Sequence, residues 1–136
     1  MKHEVLIYNE TRKKIPKEFI ESVILRALKF LKLKQPVELA VLVVDKEEIK
    51  RLNKIWRKLN ETPDELSFGL NSRQKEGLAK GHYGMLSLGE IIINAEKISD
   101  KNYLSKILIH SLLHLLGYSH RRMKGLEKEI FKHLNI

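Results

Sequence analysis

The spacing of apolar residues changes several times along the chain, and each change predicts a different element. Residues 3–8 form a short apolar run that is typical of a strand. Apolar residues then recur at helical spacing over residues 17–33, directly after Pro16, which the first turn of a helix tolerates. Residues 37–44 are almost continuously apolar, as expected of a central strand covered on both faces.

The rest of the chain continues this mixture of strands and helices. Asp45 and Glu48 have the spacing of a capping box, which opens the next predicted helix. Gly89 predicts a bulge or a close approach within a strand, and Gly117 predicts a helix end. The predicted elements are a helix at 46–59, strands at 66–70 and 85–94, helices at 102–116 and 122–134, and a polar, mobile excursion at 71–82.

The order of these elements predicts the fold class. Strands and helices in mixed order indicate an α/β (α+β) fold, with a small mixed β-sheet of about four strands packed with four or more helices. The length of 136 residues, with 43% hydrophobic and 32% charged residues, corresponds to one compact domain spanning residues 1–136. No linker and no internal repeat divides the chain.

The composition limits which cellular compartment and which kinds of chemistry we expect for this protein. The longest strongly apolar stretch, residues 107–117, is far shorter than the roughly 18–20 residues that span a bilayer. The N-terminal residues lack the order of a secretory signal, so we expect a cytoplasmic protein without membrane attachment. With no cysteine, the chain has no disulfide, thiolate metal ligand or thiol nucleophile. Any metal must be held by His, Asp or Glu.

The charge of the chain favours polyanionic partners. Lys and Arg number 26 against 17 Asp and Glu, which gives a formal net charge of +9. Such an excess attracts nucleic acid over long range. A soluble, Lys- and Glu-rich surface of a thermophile protein has the same composition, so charge alone does not identify a binding site.

Three histidines carry the strongest chemical signal. His110 and His114 are four residues apart on a predicted helix, so their imidazoles project from one face about one turn apart. A positive φ at Gly117 can turn the chain back and bring His120 to the same place. Three neutral imidazoles and a water form the open arrangement of catalytic Zn²⁺ sites, although the same ligands accept Ni²⁺ or Cu²⁺. The spacing predicts one metal ion and a hydrolase.

The same spacing occurs in metalloproteases of the HExxHxxGxxH type. In that motif the glutamate after the first histidine acts as general base on the metal-bound water. Ser111 occupies this position here. Peptide hydrolysis by that mechanism is therefore not the predicted activity.

The sequence resembles the YbeY family of bacterial endoribonucleases over essentially its whole length. The segments that carry the resemblance are HxxxHLLGYxH at residues 110–120, LNKIWR at 52–57, DELSF at 64–68 and LGEI at 88–91. The family usually reads TDVLSFP, HGxLHLxGYDH and LGDI in these segments. The residues that depart from this pattern are Pro63, Glu65, Gly69, Glu90, Ser111 and Ser119.

The resemblance implies a single-strand-specific, metal-dependent endoribonuclease. It implies action in rRNA maturation, notably at the 3′ end of small-subunit (16S) rRNA, and in ribosome quality control, with single-stranded RNA and the ribosome or its small subunit as partners. It also implies Zn²⁺ held by His110, His114 and His120, with Arg57 as the arginine of the cleft. We therefore predict Arg57 and His114 as catalytic residues, because an arginine can neutralise phosphoryl charge in bidentate geometry.

The sequence leaves several alternative functions and residue roles open. The chain can instead be a non-catalytic rRNA-binding assembly factor with a structural metal, or a zinc hydrolase of a small molecule or peptide. Asp64 can orient a ligand or cap a turn, and Ser67 can orient a ligand or simply occupy a strand position. Glu90 contributes to the site at most indirectly, through another residue. Four cations after the third histidine offer either a phosphate track or a solvated helix face: Arg121, Arg122, Lys124 and Lys128.

Overall fold

Strands and helices alternate along the chain in the computed structural model, which describes residues 2–69 and 85–136. The strands are β1 (Glu4–Asn9), β2 (Val37–Val44), β3 (Glu65–Gly69) and β4 (Leu86–Asn94). The helices are α1 (Lys17–Leu31), α2 (Lys46–Arg57), α3 (Lys101–Leu115) and α4 (His120–Leu134), and a short 3₁₀ turn covers Ala95–Lys97. The predicted polar excursion at 71–82 lies outside the described residues.

The four strands form one mixed sheet in the order β1-β2-β4-β3. β1 and β4 both pair with β2 in parallel, whereas β3 pairs with β4 in antiparallel orientation and forms an edge. The predicted α+β fold with a small mixed sheet and four helices is confirmed. β2 is central, as predicted, but only one of its faces is fully buried, since its alternate residues are half-buried.

In the described part of the chain, helices cover both faces of the sheet, three on one face and one on the other. The larger core joins one face of the sheet to α1, α3 and α4, through residues such as Ile24, Val41, Leu108 and Ile130. A smaller core on the other face joins α2 to the sheet through Ile49. α3 is central to the larger core, and its two sides pack against α1 and α4 as well as β3 and β4. This packing positions α3 beside the edge strand β3.

Two predicted helices end earlier than their apolar pattern suggests. Lys32 and Lys58 each adopt a left-handed backbone conformation, with φ of 50° and 61°. These residues end α1 and α2, and the predicted extensions to residues 33 and 59 are wrong. The predicted capping box is also wrong in detail: Asp45 is the N-cap but makes no side-chain capping bond, and Glu48 instead accepts two hydrogen bonds from Arg51.

The last helix begins earlier than predicted. Ser119 is the N-cap of α4, and its hydroxyl accepts a hydrogen bond from the backbone N–H of Arg122. Serine is among the preferred residues at this position because its oxygen satisfies an otherwise unpaired helix N–H. His120 is consequently the first residue of α4, not part of the preceding loop.

Gly89 and Gly117 behave as predicted. Gly89 has φ of 120° and lies where the register between β2 and β4 shifts, and an added Cβ would come within 2.1 Å of the carbonyl oxygen of Phe68. Gly117 has φ of 87° and ends α3. The described part of the chain contains no helix with the length and apolar character of a membrane span.

Candidate active site

Two histidines are the exposed positions in the C-terminal half of α3. From residue 107 to residue 115, every other side chain is buried or half-buried, whereas His110 and His114 are exposed. Their four-residue separation places them on one side of the helix, as the sequence predicts. The apolar packing of α3 therefore fixes the backbone that carries both imidazoles.

His120 approaches this pair from the start of α4. After the turn at Gly117, the ring of His120 lies 6.3 Å from the ring of His114, with 71° between their planes. His120 is exposed as well. The glycine turn thus brings the third predicted ligand next to the second.

The C-terminal end of α2 and the edge strand β3 complete a cavity around the α3 histidines. The cavity has a volume of about 450 Å³ and is lined by Trp56, Arg57, Glu65, Leu66, Ser67, Phe68, His110 and His114. Arg57 is exposed, and no carboxylate among residues 2–69 and 85–136 forms an ion pair with it. The predicted catalytic pair, Arg57 and His114, therefore lines one cavity.

An aromatic pair forms one wall of this cavity. Trp56 is 66% exposed, and its ring meets that of Phe68 edge to face at a centroid distance of 6.1 Å. Exposed tryptophan is unusual for a structural role, because this side chain has a large apolar surface to bury. Neither aromatic side chain belongs to the fully buried core.

Glu127 of α4 orients His110. Its Oε1 lies 2.5 Å from Nδ1 of His110, and Glu127 is half-buried while His110 is exposed. A carboxylate on one ring nitrogen fixes the imidazole and leaves Nε2 for another partner, which is the usual support of a metal-ligating histidine.

The donor set fits a transition-metal ion by its chemistry. His110, His114 and His120 offer imidazole nitrogens, His110 has a supporting carboxylate, and His114 lies in the last turn of α3, where the helix dipole favours a cation. In the conformation described for residues 2–69 and 85–136, no three His, Asp or Glu side chains stand at metal-binding spacing.

Other sequence candidates lie away from the cavity. The Asp64 carboxylate accepts a short hydrogen bond from the Tyr103 hydroxyl, which raises the pKa of that phenol, and lies 3.7 Å from Nζ of Lys97. Glu90 lines a separate cavity on the α2 face of the sheet, with Leu6 and Ala40. Arg122 lies over the ring of Tyr118, at 5.3 Å from its centroid.

Glu65 and Glu127 are the site residues that the sequence did not indicate as functional. Glu127 follows His120 by seven residues, which places both on one side of α4, and this spacing was the available signal. Glu65 and Ser111 are both departures from the family pattern, and the structure joins them in one hydrogen bond.

Comparison with known proteins assigns the chain to a family. The model of the family described as endoribonuclease YbeY matches residues 6–135. An endoribonuclease YbeY of Syntrophomonas wolfei is 33% identical over 147 residues, which cover 93% of this chain and 94% of the relative. An endoribonuclease YbeY of Listeria monocytogenes is 32% identical and covers 93% and 92%.

A solved structure supports the fold. The solution structure of TM1509 from Thermotoga maritima has a TM-score of 0.53 and 21% sequence identity, over 96% of this chain and 91% of that one. The chain belongs to the endoribonuclease YbeY family. The resemblance drawn from the sequence motifs is confirmed, and the family supports a nuclease class of enzyme.

Proposed function

We propose that this protein is a metal-dependent endoribonuclease that cleaves single-stranded RNA in the cavity between α2, β3 and α3. The observation that carries the proposal is the presence of Arg57, His110 and His114 on the walls of one cavity in a member of this family. The whole chain, residues 1–136, forms the hydrolase domain in this account.

Arg57 supplies the charge that a phosphodiester requires. No described carboxylate neutralises it, so its guanidinium can bind the two non-bridging oxygens of a phosphoryl group. Positive charge aimed at the phosphoryl group stabilises the negative charge that develops as the bond to the attacking oxygen forms. This gives Arg57 a role in the reaction itself.

His110, His114 and His120 would hold the metal. The proposed ion is Zn²⁺, which suits three neutral imidazoles, and when bound it supplies Lewis-acid polarisation of a phosphoryl oxygen and lowers the pKa of a bound water. Glu127 keeps the His110 ring in position for this role.

The exposed aromatic wall of the cavity supports a preference for single-stranded RNA over a duplex. Trp56 is exposed beside Arg57, and an unpaired base can stack on its indole, whereas the bases of a duplex are already stacked inside the helix. The net charge of +9 adds a sequence-independent attraction to the RNA backbone.

The physiological substrate that we propose is ribosomal RNA in the cytoplasm. The family resemblance supports a role in maturation of the 3′ end of small-subunit (16S) rRNA and in ribosome quality control, with the ribosome or its small subunit as partner. This finer assignment rests on the family and not on the geometry of the cavity.

Cleavage of end-labelled RNA tests the proposed function. Zn²⁺-loaded wild type and His114→Ala are incubated in parallel with a single-stranded RNA and with the same sequence in a duplex. His133→Ala is the matched control, since His133 packs against Phe30 away from the cavity.

The wild type and His133→Ala are expected to cleave the single strand and spare the duplex, and His114→Ala is expected to be inactive. Equal RNA binding without cleavage in all three proteins would instead favour the non-catalytic assembly factor.

A further inference from the structure

Ser111 does not face the cavity, although it directly follows His110. Its side chain is fully buried, and its Oγ donates a hydrogen bond of 2.6 Å to Oε2 of Glu65. Among the residues that the structure describes, Ser111 is the side chain that donates a hydrogen bond to Glu65.

The position of Glu65 follows from the alternation of β3. Leu66 packs into the small core under α2, so its neighbours Glu65 and Ser67 point to the opposite face, toward α3. Because β3 is an edge strand, this part of the face opens to the side. Glu65 is half-buried there and lines the same cavity as Arg57 and the two α3 histidines.

Glu65 is the carboxylate that lines this cavity within the described part of the chain. Glu127 is already engaged with Nδ1 of His110, and Asp64 is engaged with Tyr103 and Lys97 outside the cavity. The cavity therefore combines one cation, two imidazoles and one anchored carboxylate.

We infer that Glu65 is the general base of the proposed ribonuclease reaction and that Ser111 is the positioning residue that holds it. In the HExxH arrangement, the residue after the first histidine is itself the base. In this chain that residue is a buried serine, and its hydroxyl anchors a carboxylate supplied by the neighbouring strand. This inference rests on the proposed function, because a base requires a reaction to serve.

The proposed step is hydrolysis of one phosphodiester bond. Oε1 of Glu65 accepts a proton from the attacking water as the water oxygen forms its bond to phosphorus. The bond between phosphorus and the leaving sugar oxygen breaks, and that oxygen takes a proton from solvent. Glu65 then releases its proton to solvent, so that one water is consumed and two RNA ends are produced.

Glu65→Gln is the decisive variant. The amide has the shape of the carboxylate and can still accept the hydrogen bond from Ser111, but it cannot accept the proton from water. General-base catalysis contributes about 10²–10⁴-fold to a rate, so kcat is expected to fall by that factor while KM stays unchanged or decreases. Glu21→Gln, at an exposed position of α1, is the matched control and is expected to keep the wild-type rate.

RNA binding provides a readout that does not depend on turnover. Affinity for a labelled single-stranded RNA is measured by fluorescence anisotropy with a chelator present. Glu65→Gln is expected to bind as tightly as the wild type or a few-fold more tightly, because the substitution removes a negative charge that faces the phosphate. Metal content after Zn²⁺ loading is expected to be unchanged.

Ser111→Ala tests the positioning role. It removes the anchor without altering the carboxylate, so kcat is expected to fall about tenfold with little change in KM. In the Glu65→Gln background, Ser111→Ala is expected to have almost no further effect on kcat, since the two residues act as one unit. A serine that only supports the fold would lower activity equally in both backgrounds.

The outcomes separate this inference from the proposed function. Wild-type cleavage together with full activity of Glu65→Gln overturns the base and leaves the ribonuclease intact. Loss of metal from Glu65→Gln would show that Glu65 is a metal ligand and not a base. A large rise in KM would show that Glu65 binds the substrate. Either result overturns the inference. A wild type that binds RNA without cleaving it overturns both proposals.

Discussion

Oε1 of Glu127 lies 2.5 Å from Nδ1 of His110, which connects α4 to the histidine pair of α3. Glu127 is the more buried partner, with 21% side-chain exposure against 47% for His110. The carboxylate therefore constrains the ring and leaves Nε2 as the nitrogen that can bind a metal ion.

Removal of this support is expected to weaken metal binding. Glu127→Ala should lower Zn²⁺ affinity by about 10–100-fold, the usual effect of losing a carboxylate behind a ligating histidine. Competition with a chromophoric chelator measures the affinity. Glu129→Ala, two residues further along α4 and exposed, is the control and should match the wild type. Equal affinity in Glu127→Ala would show that His110 needs no orientation.

Arg57→Lys is expected to separate charge from geometry. Lysine retains the positive charge but lacks the planar fork that binds two phosphoryl oxygens. The rate of RNA cleavage should fall by about 10²–10³-fold, while metal content and thermal stability stay unchanged. Arg51→Lys, on the same helix and paired with Glu48, is the control. Full activity of Arg57→Lys would reject the bidentate role.

Gly89→Ala is expected to destabilise the fold. A Cβ at this position would lie 2.1 Å from the carbonyl oxygen of Phe68, and the backbone has φ of 120°. Strain and overpacking together should cost about 2–5 kcal/mol of unfolding free energy in urea denaturation. Gly125→Ala in α4 has open space around it and should be neutral or stabilising by up to about 1 kcal/mol. Similar stability of both variants would contradict the close approach of β3 and β4.

His3 is expected to make stability depend on pH. Its Nδ1 accepts a hydrogen bond of 3.0 Å from the backbone N–H of Val37, and burial lowers its pKa from the ordinary value of 6.5. The unfolded chain therefore binds the proton more readily, and unfolding free energy should rise with pH. The contribution of neutral His3 to the free energy of unfolding is fully present above about pH 6.5. It is lost as the pH falls from there through the lowered pKa of His3.

The control for this prediction is a variant in which a side chain that does not titrate replaces His3. His3→Gln should show a weaker dependence of denaturation midpoint on pH between 5 and 7 than the wild type. Parallel curves for the two proteins would show that His3 does not contribute.

The fold was accessible from the sequence because its elements have strong local signals. The apolar spacing of α1 gave its buried face, through Ile20, Val23, Ile24, Ala27 and Leu28, and the continuous apolar run of β2 gave a central strand. The ends of helices were less predictable. Lys32 and Lys58 adopt left-handed conformations that their residue type does not indicate, since glycine is the usual residue there.

The residues of the candidate site differ in the same way, because some have a local sequence signal and others are brought together only by tertiary packing. The histidine spacing and the glycine turn are local signals, so the sequence could predict that His110 and His114 share one side of a helix and that His120 lies next to His114. Glu65 is 46 residues from Ser111 and meets it only because β3 is an edge strand beside α3. Such a contact depends on tertiary packing and has no local signal. Glu90, in contrast, shares the α2 face with Ile92 because side chains alternate along β4, while its neighbour Ile91 packs in the larger core.

Metal titration of a chelated sample tests the central claim most directly, with cleavage and metal content measured together. Wild-type protein is stripped, Zn²⁺ is added in increments, and the cleavage rate of single-stranded RNA is recorded against bound metal. The rate is expected to rise from near zero to a plateau at one ion per chain, and His114→Ala is expected to remain inactive at every ratio. Cleavage that is the same in stripped, loaded and His114→Ala protein would contradict a metal-dependent ribonuclease site at this cavity.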